Sequence, residues 1–145
     1  MKSLRASPLE DLGFRLAVKQ LVFSAADRAG LKTVVHIPDD VILLSKDEQQ
    51  VVYRIAQEAI ENVIKHANAS QIEISMDEDE NEFEMSIRDD GIGCEEEIKA
   101  DGFGILGMRE RANLIGGELE IQLKKGEGCT VVFRLDRSNY ENTHM

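Results

Sequence analysis

Residues 102–117 read GFGILGMRERANLIGG, and the ligand those glycines serve decides between two folds. Gly102, Gly104 and Gly107 have the GxGxxG spacing of a dinucleotide-binding turn. In such a turn a buried apolar strand enters the first glycine, and a helix leaves the last with its N-terminal amides toward a pyrophosphate. The upstream segment, EEEIKAD at 95–101, is too charged and too weakly alternating for the central strand of a parallel sheet. The downstream half fits better. Met108, Ala112, Leu114 and Ile115 fall at roughly helical spacing, and Gly116 with Gly117 supplies a stop. A glycine-rich loop feeding a helix is therefore expected, without the strand that a dinucleotide site requires.

The rest of the chain sorts by hydrophobic period. Residues 8–29 place Leu9, Leu12, Leu16, Val18, Leu21, Val22 and Ala25 at helical spacing, with Pro8 suited to a first turn and Gly30 to a stop, so one amphipathic helix is expected. KTVVHI at 32–37 is a short β-branched strand ended by Pro38. KDEQQVVYRIAQEAIENVIKHANA at 46–69 is a second helix with Ser45 as its cap. Ile72, Ile74 and Met76 alternate with polar residues, as do Phe83, Met85 and Ile87, so these are paired strands around a solvated acidic turn, DEDENE at 77–82. ELEIQL (Leu119, Ile121, Leu123) and CTVVFRL (Val131, Phe133, Leu135) form the last pair, joined by KKGEG. Antiparallel strands broken by single helices predict an α+β fold, a two-layer sandwich with helices on one face of a mixed sheet. A doubly wound fold would need alternating βα units.

The totals narrow the partners. A chain of 145 residues, 42% hydrophobic, is enough for one domain with a core. The formal net charge of -11, from 28 acidic and 17 basic side chains, argues against nucleic-acid backbones and anionic membranes. A nucleotide is anionic too, so binding one requires local help from a metal ion, a lysine or a helix N-terminus. Cys94 and Cys129 lack CxxC spacing, which suggests neither zinc nor a disulfide framework and points to a reducing cytosol. No apolar run approaches the ~18 residues of a membrane span, and MKSLRASPLEDLG has no signal-peptide core.

At roughly 100° per residue, the second helix puts Val52, Ala56, Ala59, Ile60, Val63 and Ala67 on an apolar stripe, with Glu58, Asn62 and Lys65 opposite it. A solvated face with a Glu–Lys pair has the same pattern. The row also suits a magnesium-phosphate group, with an amide oxygen for the metal, a lysine for phosphate and a carboxylate as base. In EMSIRDDGIG at 84–93, the alternation that turns Met85 and Ile87 inward also turns Asp89 inward. An inward carboxylate needs a donor, and the exocyclic amine of a purine is one. The alternative is a strand-end Asp capping the next turn, with Gly91 and Gly93 present for backbone geometry. One nucleotide can join the polar row, the inward Asp and the glycine loop.

These segments resemble a known family. QEAIENVIKHA is similar to the N box, DDGIG to the first glycine box and GFGILGM to the second glycine box of the GHKL, or Bergerat-type, ATP-binding fold. That fold is shared by sensor histidine kinases, DNA gyrase, MutL-type repair proteins and heat-shock chaperones, and the boxes come in the same order and spacing. GMRERA, the short lid and LRASPLEDLGF look like kinases of the nitrate-sensor type. The resemblance implies an ATP-binding catalytic domain over residues 1–136, with 1–12 a remnant of a linker and 137–145 a tail. It implies ATP and magnesium as ligands. Asn62 would bind the metal, Glu58 would be the catalytic acidic residue, and Lys65 and His66 would lie near the phosphates. Asp89 would read the adenine amine, with Gly91 and Gly93 making room beside the base. Gly102, Gly104 and Gly107 would form a mobile lid and the helix start facing the phosphates, and Thr130 would lie near adenine through water.

Such kinases phosphorylate a histidine on a dimeric helical hairpin that precedes this domain. His36, His66 and His144 fall in a strand, the N box and the tail, so the chain resembles the catalytic fragment of a longer, homodimeric kinase, unable to label itself. The implied partners are that phosphoacceptor helical domain and, indirectly, a response regulator, with no nucleic acid and no direct membrane contact. A cytoplasmic location is implied, any anchor lying upstream. The alternative is a stand-alone regulatory module of the same fold, like an anti-sigma factor that phosphorylates serine, and a dehydrogenase comes third.

Overall fold

Period-2 alternation builds the sheet. A computed structural model describes residues 8–40, 42–92, 102–124 and 126–137. Strands β2 (Gln71–Glu78), β3 (Glu82–Asp89), β4 (Glu118–Lys124) and β5 (Gly128–Asp136) pair antiparallel, and β1 (Lys32–His36) joins β2 in parallel, in the order β1-β2-β3-β5-β4. The β2–β3 turn is tighter than the acidic run predicts, because Asp79 accepts the amides of Asn81 and Glu82 at 2.8 Å each and lets both strands extend. Register sets Ile74 opposite Ile87, and Met85 opposite both Met76 and Phe133, so one face is apolar and buried. The other face is polar: Ser75 and Ser86 share a 2.7 Å hydrogen bond, and Arg134 bridges Glu84 and Glu120.

Helices α1 (Pro8–Leu12), α2 (Phe14–Ala29), α3 (Lys46–Asn62) and α4 (Ile105–Leu114) complete the fold. Buried residues of α2, α3 and α4 share one core with the apolar face of the sheet, which is the mixed-sheet, two-layer α+β sandwich expected. Where the period predicts one helix over 8–29, the chain breaks at Gly13, whose φ is 81°. The break resets the helical phase, so Phe14 and Ala17 are buried while Leu12 and Leu16 are exposed. In α4 the buried line is Ile105, Met108 and Ala112, continued by half-buried Ile115. Leu114, read from the sequence as part of that face, is 79% exposed because it sits a residue off the line.

Helix α3 carries the central layer. Ser45 and Glu48 form a capping box in which each side chain accepts the other's amide, at 3.1 and 2.9 Å. After Asn62 the helix widens into a π turn, Val63–Ala67, and stops at Asn68 in the left-handed region. Among the described residues, no helix is long and apolar enough to cross a membrane.

The start of β4 leaves no space for a side chain at Gly117, where a Cβ would lie 2.5 Å from the Phe133 ring and 3.0 Å from the Arg134 carbonyl. Gly117→Ala should lower stability by about 1–3 kcal/mol through overpacking. Urea unfolding would read this as a lower midpoint, and an unchanged midpoint would contradict the packing of β4 on β5.

Candidate functional site

The end of β3 places a carboxylate inside the protein. Phe83, Met85, Ile87 and Asp89 follow one another down the buried face, and Asp89 is 5% exposed. It accepts the amides of Gly91, at 2.8 Å, and Cys129. Burial nevertheless dominates, and it raises the Asp89 pKa above the usual carboxylate value, with a smaller upward push from Asp90. Burial, then the Asp89 charge, pushes the Cys129 thiol up to about 11. Gly128 makes the close approach possible, because a Cβ there would collide with the Asp89 carbonyl. Asp90 has a different task. It faces solvent and accepts the Ser70 amide (2.8 Å), the Ser70 hydroxyl (2.6 Å) and the Gln71 amide (2.9 Å), tying the end of β3 to the start of β2.

On the other side of the cavity, a line of α3 meets the glycine loop. Glu58, Asn62 and His66 are spaced i, i+4, i+8. A Cβ on Gly104 would lie 3.1 Å from the Glu58 Oε2, the Asn62 amide donates to the Phe103 carbonyl at 2.6 Å, and the His66 ring stacks on Phe103. Gly104 adopts φ 65° as the residue before α4 and brings no side-chain cap of its own. Left-handed geometry and the nearby carboxylate both favour glycine there. Gly107 is different: a Cβ would meet only Arg111, at an ordinary 3.6 Å. The cavity between these walls is lined by Ala59, Asn62, Val63, Ile87, Asp89, Phe103, Ile105, Cys129 and Val131. It leaves about 20 Å³ for water-sized occupants, so a larger ligand reaching Asp89 has to displace the loop wall of Phe103 and Ile105.

The structure thus brings together Glu58, Asn62, His66, Asp89, Gly91 and Gly104 of the residues singled out from sequence. Asn62 is 7% exposed and part of the buried layer, not of a polar face opposite it. Lys65 is exposed and stands outside the line, because the π turn carries residue 66 rather than 65 on from Asn62. Gly102 is exposed at the loop, and Gly93 lies outside the described residues. Thr130 is a correction. It pairs with Arg88 and Gln122, which are exposed, so it belongs to the outer face of the sheet, and Cys129 is the residue beside Asp89. Continuing the Val131, Phe133, Leu135 alternation back by one step finds Cys129 from sequence. Phe103 was missed too, although it is the aromatic between two glycines of the motif. Among the described residues, no three His, Cys, Asp or Glu side chains group as a metal site. A metal ion here would rest on the Asn62 oxygen together with ligand oxygens, which is how magnesium is commonly held with phosphates.

Comparisons with known proteins agree with this architecture. Residues 47–139 match the family model described as histidine kinase-, DNA gyrase B- and HSP90-like ATPase. The chain is 31% identical over 139 residues to the signal transduction histidine-protein kinase/phosphatase DegS of Brevibacillus brevis, covering 91% of this chain and 34% of that protein. It is 31% identical over 129 residues to UhpB of Salmonella typhimurium, which carries the same description, covering 88% and 26%. The chain therefore spans about a third or less of these relatives. Among solved structures, the Acinetobacter baumannii histidine kinase AdeS superposes with a TM-score of 0.70 at 15% identity, over 87% of this chain and 64% of that one. The histidine kinase domain of the Erythrobacter litoralis EL346 blue-light activated kinase gives 0.74 at 15%, over 89% and 63%. At that identity the two structures establish likeness of fold.

The neighbouring aspartates should oppose each other in the pH dependence of stability. The Asp90 pKa is lowered, chiefly by the Ser70 side chain. Its contribution is therefore present above the unfolded carboxylate pKa and is lost as pH falls through the lowered value. The Asp89 pKa is raised, so its ionisation costs stability as pH rises from the unfolded value through the folded one. Asp90→Ala should destabilise the chain at neutral pH and flatten its acid limb. Asp89→Asn, which keeps an acceptor oxygen without the charge, should fold at least as stably at neutral pH. Unfolding midpoints measured across pH check both, and the reverse order would contradict the assignment.

Proposed function

The chain belongs to the histidine kinase-, DNA gyrase B- and HSP90-like ATPase family, and from that we propose that it binds ATP with magnesium and delivers the γ-phosphate to a histidine on a separate helical domain of a two-component kinase. The observation that carries the proposal is a buried carboxyl, Asp89, sharing with a buried carboxamide, Asn62, a cavity walled by a glycine loop. The nitrate-sensor subfamily, a response regulator as downstream partner and a homodimeric parent belong to the same proposal; the relatives support its kinase part, as signal transduction histidine-protein kinases/phosphatases.

Each residue has a task on this reading. Asp89 accepts the exocyclic amine of adenine, held on aim by the Gly91 and Cys129 amides. Gly91 keeps the backbone slim beside the base. Asn62, buried in the cavity wall, offers its Oδ1 to magnesium. Gly104 lets the loop approach Glu58, and the N-terminus of α4 suits an anion. Magnesium-bound ATP would supply the phosphoryl group and neutralise its charge, and the chain contributes mainly position and charge complementarity. Glu58, half-buried beside the loop, orients the incoming imidazole or takes its proton as a P–N bond replaces the P–O bond and ADP leaves. Lys65, Gly102 and Gly107 remain candidates for phosphate contacts.

Titration calorimetry tests the binding step. ATP should bind more tightly with magnesium than in EDTA, and nicotinamide cofactors should give no heat. Asp89→Asn should weaken ATP binding by about 1.5–3 kcal/mol, the size of a charge-assisted hydrogen bond, while the variant stays folded. Normal ATP affinity in that variant would contradict adenine recognition by Asp89. For the transfer step, the chain with γ-labelled ATP should not label itself but should label an added phosphoacceptor fragment of its parent kinase. Acid-labile phosphate is the expected product; acid-stable phosphoserine would favour a regulatory serine kinase instead.

A further inference from the structure

The cavity beside Asp89 is shut by the protein's own side chains. Phe103 and Ile105 are 6% and 8% exposed, and the space they close holds about 20 Å³ for water-sized occupants, too little for a purine. Two contacts fasten this wall to the α3 side of the cavity. The Phe103 carbonyl accepts the Asn62 amide at 2.6 Å, and the Phe103 ring stacks on His66 with centroids 4.5 Å apart and planes 17° from parallel. Next to Phe103 stands Gly104, left-handed at φ 65° and close against Glu58, a conformation that a residue with a side chain rarely adopts. Opening the wall exposes two apolar side chains to water, breaks the stack and removes the acceptor from a buried amide, so the empty protein favours the closed form. Nucleotide can reach Asp89 only in the open form.

We propose that Phe103 is a built-in plug, and that closure of the 103–105 wall competes directly with nucleotide for the cavity. The inference rests on the reading of this cavity as the nucleotide site and adds a regulatory equilibrium to it. Asn62 then serves in both forms, as the anchor of the wall when the cavity is empty and as a ligand-side group when it is filled. When only the open fraction is competent to bind, the apparent association rate is the intrinsic rate multiplied by that fraction. A change that weakens closure therefore speeds binding. A ring that touches bound nucleotide has the opposite signature, because losing such a contact acts mainly on dissociation.

Stopped-flow mixing of the full chain with ATP carrying a methylanthraniloyl fluorophore on its ribose, in excess magnesium, separates the two. Phe103→Ala should raise the association rate constant by about 2- to 12-fold, the factor to which the coupling of an aromatic pair corresponds, and leave the dissociation rate constant unchanged. Its urea midpoint without nucleotide should fall, so the variant is less stable when empty yet faster to fill, a pairing that simple loss of structure does not produce. Phe103→Leu keeps apolar bulk without a stacking face. It should give a smaller rise, and it decides the matter if the alanine variant does not fold. Unchanged association in the folded variants would overturn the proposal, and faster dissociation with unchanged association would replace it with a direct contact between Phe103 and nucleotide. Absence of binding in wild type and variants alike would remove the nucleotide reading and the plug with it, whereas binding at an unchanged rate removes the plug alone.

Discussion

A carboxylate buried at the end of a strand must be met by donors, and much of this chain is arranged to meet Asp89. The register of β3 on β5 brings the Cys129 amide to it, and the turn after β3 brings the Gly91 amide. Close approach of the two strand ends requires that position 128 carry no side chain. Asp90, one residue later, uses the solvent side to pin the same strand end to β2 through three hydrogen bonds. Two adjacent acids thus do opposite jobs. One braces the sheet at a profit to stability when ionised, and the other is held ionisable in the core at a cost, which leaves acceptor capacity for a ligand with an N–H to give.

That division of labour was partly legible in the sequence. Alternation through Phe83, Met85 and Ile87 aims position 89 inward because a strand's side-chain period is fixed by covalent geometry. The same logic carried to β5 selects Cys129 and places Thr130 on the outer face, although resemblance to family motifs points to Thr130. Strand pairing decides it, and pairing is a tertiary fact. Helical faces were read less well for a related reason. The phase of a helix is only as good as its continuity, so the break at Gly13 turned Leu12 and Leu16 to solvent, and the π turn after Asn62 substituted His66 for Lys65 on the site side. Neither event has a signature in hydrophobic period. The mixed sheet and its helical layer were legible because they depend on many residues at once, whereas single side chains at element ends depend on a local change of winding.

The chain's charge sharpens the chemistry asked of the site. With a formal net charge of -11, the protein as a whole repels a nucleotide. Among the described residues lining the cavity, the polar side chains are Asn62 and Asp89, and Lys65 on the neighbouring turn is exposed. On the proposed reading, attraction then comes from the bound divalent ion and from oriented dipoles at the start of α4, which act over short range and lose less to salt than a diffuse field would.

The same economy explains why a carboxamide is suited to position 62. An aspartate would be the stronger ligand for magnesium, but a carboxylate is acceptor-only, and here it would face the Phe103 carbonyl 2.6 Å away with Glu58 one turn behind. Two acceptors in that contact would repel the loop from α3. Asparagine offers a donor to the loop, and on the proposed reading its oxygen is the atom left for the metal.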